Sequence, residues 1–589
     1  MFKIFKYLRR SEWAQVGAAV VFVVVQVWLN LKMPDYMAEI TRLVETPGSA
    51  MSDVWHQGVF MLLCALGSLA ASVIVGFFAA RVAAAFSRRL RSLLFNKVDS
   101  FSMEEINRFS TASLITRSSN DITQIQMLVT MGLSVIISAP VMAVWAVIKI
   151  AGKGLEWTLA TGVAVLVIIA VMALLMVFVM PKFRSMQRLT DNMNRVTREN
   201  LTGLRVIRAY NAEDFEEAKF EQANGELTDT QLYTSRAMAF MMPVMSMVMN
   251  GLSLAIYWIG AYVINNAAGA AKLMIFSNMV VFSAYAMQVV MAFMMMIVMF
   301  VMLPRAAVSA TRINEVLDTV PVIVDGIAVA GQPDVRGEIE FRDVSFKYPD
   351  AAEYVLRDVS FTASQGQTVA FIGSTGSGKT TLVNLVPRFF DVTSGEVLVD
   401  GVDVKRYTGE ALHNKIGYVP QEAVMFRGTV SSNVGYGDNG RGAFTSGQIA
   451  EAIDVAQATD FVGAMDGELD AEISQGGKNV SGGQKQRLSI ARAVCRKPEV
   501  YIFDDSFSAL DYKTDRALRT ALKKQTAGVT SLIVAQRIGT IMDADQIVVL
   551  DDGRVVGHGT HKELLATCDV YKQIALSQLS EEELGAQIS

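Results

Sequence analysis

The sequence predicts a multidomain fold, an all-α membrane domain of six helices followed by an α/β domain. Three observations carry that reading. Of 589 residues, 52% are hydrophobic, and so apolar a chain must turn much of its surface to lipid. The apolar residues gather in long uncharged runs in the first half, whereas after about Gly337 strands, turns and charges alternate as in a soluble α/β protein. Finally, Gly373–Thr380 reads GSTGSGKT and follows the apolar strand Thr368–Ile372, the strand, loop and helix setting of a phosphate loop. A formal net charge of -4 gives no reason to expect nucleic acid, because the basic residues cluster beside membrane segments. Cys64, Cys495 and Cys568 are far apart without metal-ligand spacing, so neither disulfides nor zinc is implied.

Six stretches reach the ~20 apolar residues that cross a hydrocarbon layer: Ala14–Met33, Val59–Arg81, Leu128–Ile150, Trp157–Met180, Phe240–Ile264 and Phe276–Leu303. Lys3, Lys6, Arg9 and Arg10 precede the first, and Arg88, Arg89, Arg91, Lys97, Arg108 and Arg117 follow the second, so both places are expected to be cytoplasmic. The turn expected after the first span carries Asp35, Glu39, Glu45 and Asp53 against Arg42, and the other outer turns carry only Lys149, Lys153 and Lys272. The first run is long for a signal-peptide core and lacks a small-residue cleavage site after it, so it is read as a retained helix. Six spans return the second domain to the cytoplasmic side. The expected division is a membrane domain over 1–303, a linker over 304–336 and a nucleotide-binding domain over 337–589.

The inner connections Val82–Met127 and Pro181–Ala239 are too long and polar for turns, yet keep helical periodicity. They are expected to be membrane helices extended into the cytoplasm.

In the phosphate loop, Gly373, Ser374, Thr375, Gly376, Ser377 and Gly378 let backbone N–H groups and a helix N-terminus face phosphate oxygens. Lys379 adds a positive charge, and the hydroxyl of Thr380 suits Mg2+. Val500–Asp505 reads VYIFDD, an apolar strand ending in carboxylates, where Asp504 takes the metal-binding position. Between them Val480–Arg487 reads VSGGQKQR and opens a helix, a glycine-rich start able to hold a second phosphate. A phosphate-bearing ligand and Mg2+ are therefore expected.

Together these motifs resemble those of an ATP-binding cassette (ABC) half-transporter of the exporter type, nearest to the degenerate-site subunits of bacterial heterodimeric multidrug exporters. The resemblance covers nearly the whole chain. It implies that Tyr348 of FKYP stacks on adenine, that Thr381 joins the phosphate loop, and that Gln421 of YVPQE ligates Mg2+ beside Thr380 and Asp504. It makes Ser481, Gly482, Gly483 and Gln484 a signature facing a partner's ATP, and Asp511 of SALD the D-loop acid. It also implies that Phe109–Ile122 (FSTASLITRSSNDI) and Glu199–Phe215 (ENLTGLRVIRAYNAEDF) carry short helices that dock on nucleotide-binding domains.

Ser474–Asn479, SQGGKN, departs from the acidic string the family often places before the signature, and two further departures bear on chemistry. Where the family has a glutamate acting as base for the attacking water, this chain has Asp505, one methylene shorter. Where it has a switch histidine, Ile533–Arg537 reads IVAQR and places Gln536, a neutral amide that carries no exchangeable charge. The combination implies a site that binds ATP and hydrolyses it poorly, while the signature completes the site of a homologous partner that has Glu and His at those positions.

Methionines crowd the last two spans: Met241, Met242, Met245, Met247 and Met249, then Met287, Met291, Met294, Met295, Met296, Met299 and Met302. Flexible thioethers suit a cavity for varied small amphipathic substrates, though most such positions pack helices or face lipid. Polar residues inside spans are costlier, which marks Gln26, Asn30, Asn250, Asn278 and Gln288 as cavity candidates, with helix-to-helix hydrogen bonding as the alternative. A siderophore importer, a lipid flippase, a peptide or haem exporter, and an ATP-sensing regulatory subunit of a channel or receptor remain open readings of the same motifs.

Overall fold

The computed structural model describes residues 2–46, 48–151, 154–267 and 271–579. The chain divides into two units, Met1–Asp99 with Thr111–Thr319, and Ser100–Ser110 with Val320–Ser589.

Helices build the first unit: α1 (Arg10–Glu45), α2 (Met51–Asp99), α4 (Thr111–Thr116), α5 (Ile122–Met131), α6 (Ser138–Ala151), α7 (Leu155–Ala209), α8 (Glu213–Ala239), α9 (Met241–Asn266) and α10 (Ala271–Asp318). The short helix α3 (Met103–Phe109) belongs to the second unit. Wide π-type turns at Arg117–Asp121 and Gly132–Ile136 join α4, α5 and α6 into one rod. Among the described residues, six helical stretches are long and apolar enough to cross a membrane, Arg10–Glu45, Met51–Asp99, Thr111–Ala151, Leu155–Ala209, Glu213–Asn266 and Ala271–Met296. Each contains one expected apolar run, the last continuing along α10. α7 has 55 residues, about 80 Å of helix against a hydrocarbon core of about 30 Å, so most of its length lies outside lipid. Val163, Leu166, Ile169, Leu174 and Val177 of α7 are exposed, as a lipid-facing stripe must be. Val27, Leu31, Ile256, Phe282 and Val289 bury one another in the bundle.

Three expectations about this unit are corrected. The acidic turn after the first span is helix, because α1 continues through Pro34 to Glu45. Asp35 is held there by Lys149 Nζ on α6 at 2.7 Å, while the Tyr285 hydroxyl of α10 lies 2.7 Å from Asp35 and 2.8 Å from Leu31 O. The linker expected over 304–336 starts inside a helix. α10 runs through Pro304 to Asp318 because Ala306, Ala310, Ile313 and Val316 recur at helical spacing and are buried, and the two units divide between Thr319 and Val320. Finally, Glu199–Phe215 holds no separate short helix. α7 and α8 meet in a tight turn at Tyr210–Ala212, with Asn211 left-handed (φ 50°) and Val206, Tyr210 and Phe215 exposed. Lys153 lies outside the described residues, as does the side chain of Met299.

Among the described residues the second unit has twelve strands: β1 (Ile339–Phe346), β2 (Leu356–Ala363), β3 (Thr368–Gly373), β4 (Ser394–Val399), β5 (Val402–Asp403), β6 (Ile416–Val419), β7 (Gly428–Thr429), β8 (Glu472–Ile473), β9 (Val500–Asp504), β10 (Thr530–Val534), β11 (Gln546–Asp551) and β12 (Arg554–Gly559). A six-stranded sheet runs β12-β11-β3-β10-β9-β6, parallel except for β12. Its central strands read as continuous apolar runs because both faces are covered, and β9 is buried along its whole length. A four-stranded antiparallel sheet, β2-β1-β4-β5, packs with it around Phe341, Phe361, Phe371 and Leu382.

α3 contributes to this unit from far upstream. Ser102 and Glu105 form a capping box at its start, and Glu105 Oε1 accepts a hydrogen bond from Val322 N at 2.8 Å. Phe109 at its end stacks on Phe101, with centroids 5.8 Å apart. The expected segment Phe109–Ile122 holds the short helix α4 (Thr111–Thr116), which Ser110, left-handed (φ 58°), breaks from α3.

Candidate functional site: a phosphate loop and its carboxylates

The carboxyl ends of β3, β9 and β10 lie side by side, with Val534 in register with Asp504. Ligands of open α/β sheets bind at such an edge. The loop leaving β3 turns into helix α11 (Lys379–Leu385) through Gly376 (φ 86°) and Gly378 (φ 96°), a left-handed geometry that glycine adopts without strain. At Gly378 a Cβ would stand 2.8 Å from Leu356 Cδ2 and 2.9 Å from Val355 O, and one at Gly373 would overlap Leu550 O. At Gly376 it would meet nothing within 4 Å. The loop is therefore crowded behind and open in front, a cradle of the kind that lets phosphate approach backbone N–H groups.

Lys379 is buried, and its Nζ donates to Gly373 O at 2.9 Å, Ser374 O at 2.7 Å and Ser377 Oγ at 3.3 Å. Burial pulls its ammonium below the usual lysine range, against the opposing pull of Asp505 and Asp504. Thr380 Oγ1 donates to Asp504 Oδ1 at 2.8 Å. Burial pushes the Asp504 carboxyl up, and the Thr380 bond holds it partly back. A hydroxyl and a carboxylate in contact are a hard oxygen donor set, which fits Mg2+ rather than a softer metal.

Asp505 sits in the left-handed region (φ 46°), and its backbone N donates to Val534 O at 3.0 Å. That turn brings its buried side chain to two amides, Gln536 Nε2 at 2.7 Å and Gln421 Nε2 at 3.3 Å, both on Oδ2. The two departures from the family pattern, far apart in sequence, are thus direct partners. Gln421 reaches Asp505 rather than Asp504, so its expected place as a metal ligand is not the one its side chain takes here. The Tyr348 hydroxyl lies 3.0 Å from Thr381 Oγ1, and its ring meets Phe346 and Phe390 edge-on at 5.0 and 5.3 Å. Tyr348, Thr381, Lys379, Thr380, Asp504, Asp505, Gln421 and Gln536 accordingly form one connected site.

The signature stands apart from it. Ser481 caps the helix Gly482–Cys495 in a reciprocal box with Gln484: Ser481 N donates to Gln484 Oε1 at 2.8 Å, and Gln484 N to Ser481 Oγ at 3.3 Å. Gly482 is open, and a Cβ on Gly483 would meet Ala509 O at 3.4 Å. Among the described residues, none of Ser481, Gly482, Gly483 and Gln484 bonds to the phosphate loop. Asp511 caps the helix Tyr512–Gln525 by accepting from Thr514 N at 3.0 Å, and that backbone bond lowers its pKa.

The membrane candidates divide. Asn30 Oδ1 accepts from Ser68 Oγ at 2.6 Å, and Gln288 Nε2 lies 3.5 Å from Asn30 O, which makes both helix-to-helix links. Gln26, Asn250 and Asn278 make no side-chain hydrogen bond among the described residues. Of the methionines, Met245 is buried and Met242, Met247, Met291 and Met295 are exposed. The Asp35–Lys149–Tyr285 cluster was missed at the sequence level; an acidic and a basic residue inside or at the end of apolar helices was the available signal.

An apolar six-span unit joined to a phosphate-loop unit with a second glycine-rich helix start defines a membrane protein driven by nucleotide. The comparisons give the family. Residues 16–293 match the ABC transporter transmembrane region and residues 356–508 the ABC transporter domain. A protein of Mycobacterium tuberculosis (strain H37Rv), named an uncharacterized ABC transporter ATP-binding protein, is 41% identical over 93% of this chain and 94% of its own length. YfiB of Bacillus subtilis, with the same description, is 35% identical over 96% of each. An ATP-dependent lipid A-core flippase of Pseudomonas fluorescens is 31% identical over 85% of this chain and 82% of its own. The solved structure of a bacterial Atm1-family ABC exporter with ATP bound shares the fold, with a TM-score of 0.79 at 23% identity over 96% of this chain and 99% of that one. The chain belongs to the ABC transporter family: it is a multi-pass membrane protein of exporter fold whose cytoplasmic nucleotide-binding domain couples ATP hydrolysis to transport.

Proposed function

We propose that this chain is one subunit of a heterodimeric exporter of amphipathic or hydrophobic compounds of the multidrug kind, and that its own site binds MgATP but hydrolyses it slowly. One observation carries the reading: Asp505, at the position of the base, is engaged by the Gln536 and Gln421 amides at 2.7 and 3.3 Å. A side chain one methylene shorter than glutamate, held by two N–H donors, is drawn back from an attacking water, and Gln536 has no proton to relay. The binding chemistry stays intact. Lys379 and the loop glycines take the phosphates, Thr380 and Asp504 take Mg2+, and Tyr348 with Thr381 borders the base and α-phosphate.

In this reading Ser481, Gly482, Gly483 and Gln484, open at a capped helix start, complete the hydrolytic site of a partner that has Glu and His where this chain has Asp505 and Gln536. Asp511 lies beside that junction. The exposed apolar turn at Val206, Tyr210 and Phe215 supports a second chain covering it. The test is ATP turnover of the purified pair. Replacing the partner's glutamate abolishes turnover, whereas Asp505→Asn changes it less than about threefold; loss of most turnover from Asp505→Asn reverses the assignment, because removing a working base costs about 100-fold or more.

A lipid cargo is the second reading, favoured by relatives named lipid A-core flippases at 31% identity over 85% of the chain. Parallel assays with a fluorescent lipid and an amphipathic dye in the same vesicles separate the two.

A further inference from the structure

The end of the described chain reaches back to the switch position. The helix Asp569–Leu576 packs Tyr571 and Ala575 into one buried cluster with Ala535, Ile538, Ile541 and Val549. The next residues stay wound on it, with Gln578 N and Leu579 N donating to Ala575 O at 3.1 and 2.9 Å. The Gln578 backbone is thereby fixed. Its side chain then brackets Arg537: Gln578 Nε2 donates to Gln536 O at 2.8 Å, and Ile538 N donates to Gln578 Oε1 at 2.8 Å. A primary amide offers a donor and an acceptor side by side, so it pairs with this loop as a neighbouring strand would. Ile538 opens the short helix Ile538–Ile541, whose own N-cap, Arg537, supplies no side-chain bond. The first N–H groups of a helix need an outside acceptor, and here it comes from the C-terminal segment. Gln536, gripped by its carbonyl, is the residue whose amide stands 2.7 Å from Asp505.

We propose that Gln578 is a positioning residue of the nucleotide site: by bracketing Arg537 it sets the backbone from which Gln536 reaches Asp505. The state of the C-terminal helix is in this way felt at the position that faces the γ-phosphate. The inference rests on the reading of Asp505 and Gln536 as residues of a working ATP-binding site.

Two measurements on the full-length chain in its complex test it. Gln578→Ala raises hydrogen–deuterium exchange at the Ile538 amide in the absence of nucleotide, and Gln578→Glu, which keeps the acceptor, restores protection there. With a fluorescent ATP analogue competed by ATP and ADP, Gln578→Ala lowers the preference for ATP over ADP by ~3- to 10-fold, the scale of one or two net hydrogen bonds. In a Gln536→Ala background the same substitution changes that preference less than twofold, because the two act through one element. Equal effects in both backgrounds, or unchanged exchange at Ile538, overturn the proposal. Lys379→Ala serves as the control: binding that survives it overturns the reading of the site, while the exchange result still decides whether the bracket exists.

Discussion

Restoring the family pattern at two positions tests whether reach or basicity would make the site slow, as the proposed function has it. Burial pushes the Asp505 carboxyl above the usual carboxylate range, and the Ser508 hydroxyl with the two amides pulls it back only in part. A raised pKa favours proton uptake near neutral pH, so basicity is not what the site lacks. Reach is. Asp505→Glu extends the side chain by one C–C bond, about 1.5 Å, and a catalytic group misplaced by about 1 Å costs on the order of 100-fold. Asp505→Glu alone is therefore expected to raise turnover at this site by about 10- to 100-fold. Gln536→His alone gains less than about threefold, because a relay without a reaching base has no water to serve. The pair together exceeds Asp505→Glu by a further several-fold, since histidine also frees the carboxylate from the 2.7 Å amide bond. The assay is phosphate release by the proposed heterodimer with the partner's base replaced by an amide, so that only this site reports. A larger gain from Gln536→His than from Asp505→Glu refutes the reasoning.

Three further outcomes are expected. The raised folded-state pKa of Asp504 means that its charged form costs stability; the cost is absent below the ordinary aspartate pKa and complete above the raised one. Asp504→Asn should hence raise the Tm of the Mg2+-free chain at neutral pH and remove Mg2+-dependent nucleotide binding. Gly378→Ala, at φ 96° with Leu356 Cδ2 and Val355 O under 3 Å from the new Cβ, is expected to cost about 1–3 kcal/mol in denaturant unfolding and to lower ATP affinity. Lys149→Ala breaks the pair with Asp35 at 2.7 Å, whose side chains keep 30% and 28% exposure. It should cost about 2 kcal/mol, below the 3–5 of a fully buried pair, and the double variant with Asp35→Ala should cost less than the sum in a thermal assay.

The spans were legible because about 20 uncharged residues in a row suit a bilayer and little else. The helix ends were not. Past Leu303 the signal thins to Ala306, Ala310, Ile313 and Val316 among charges, and Pro304 reads as a stop, yet α10 continues. Past Met33 the run Pro34, Asp35 reads as a loop, yet α1 continues there, with Asp35 bonded to Lys149 and Tyr285 of distant helices. The phosphate loop and Asp504 were legible because their residues are contiguous and chemically specific. The partnership of Asp505 with Gln536 was not, since it depends on β9 and β10 lying in register. Asn30 and Gln288 show the same limit in the membrane, where a polar residue marks a constraint without naming its partner, and Ser68 supplied it.

Helix α3 bears on how this polypeptide is made. Synthesis makes Ser102, Glu105 and Phe109 before the four later spans exist, and the Val322 N–H that donates to Glu105 emerges only after all of them. The capping box of α3 is local and forms at once, whereas the Glu105 carboxylate waits for its N–H. A fragment beginning at Val320 omits a piece of the unit it is meant to isolate. A ribosome releasing that fragment would release a fold missing its earliest-made part.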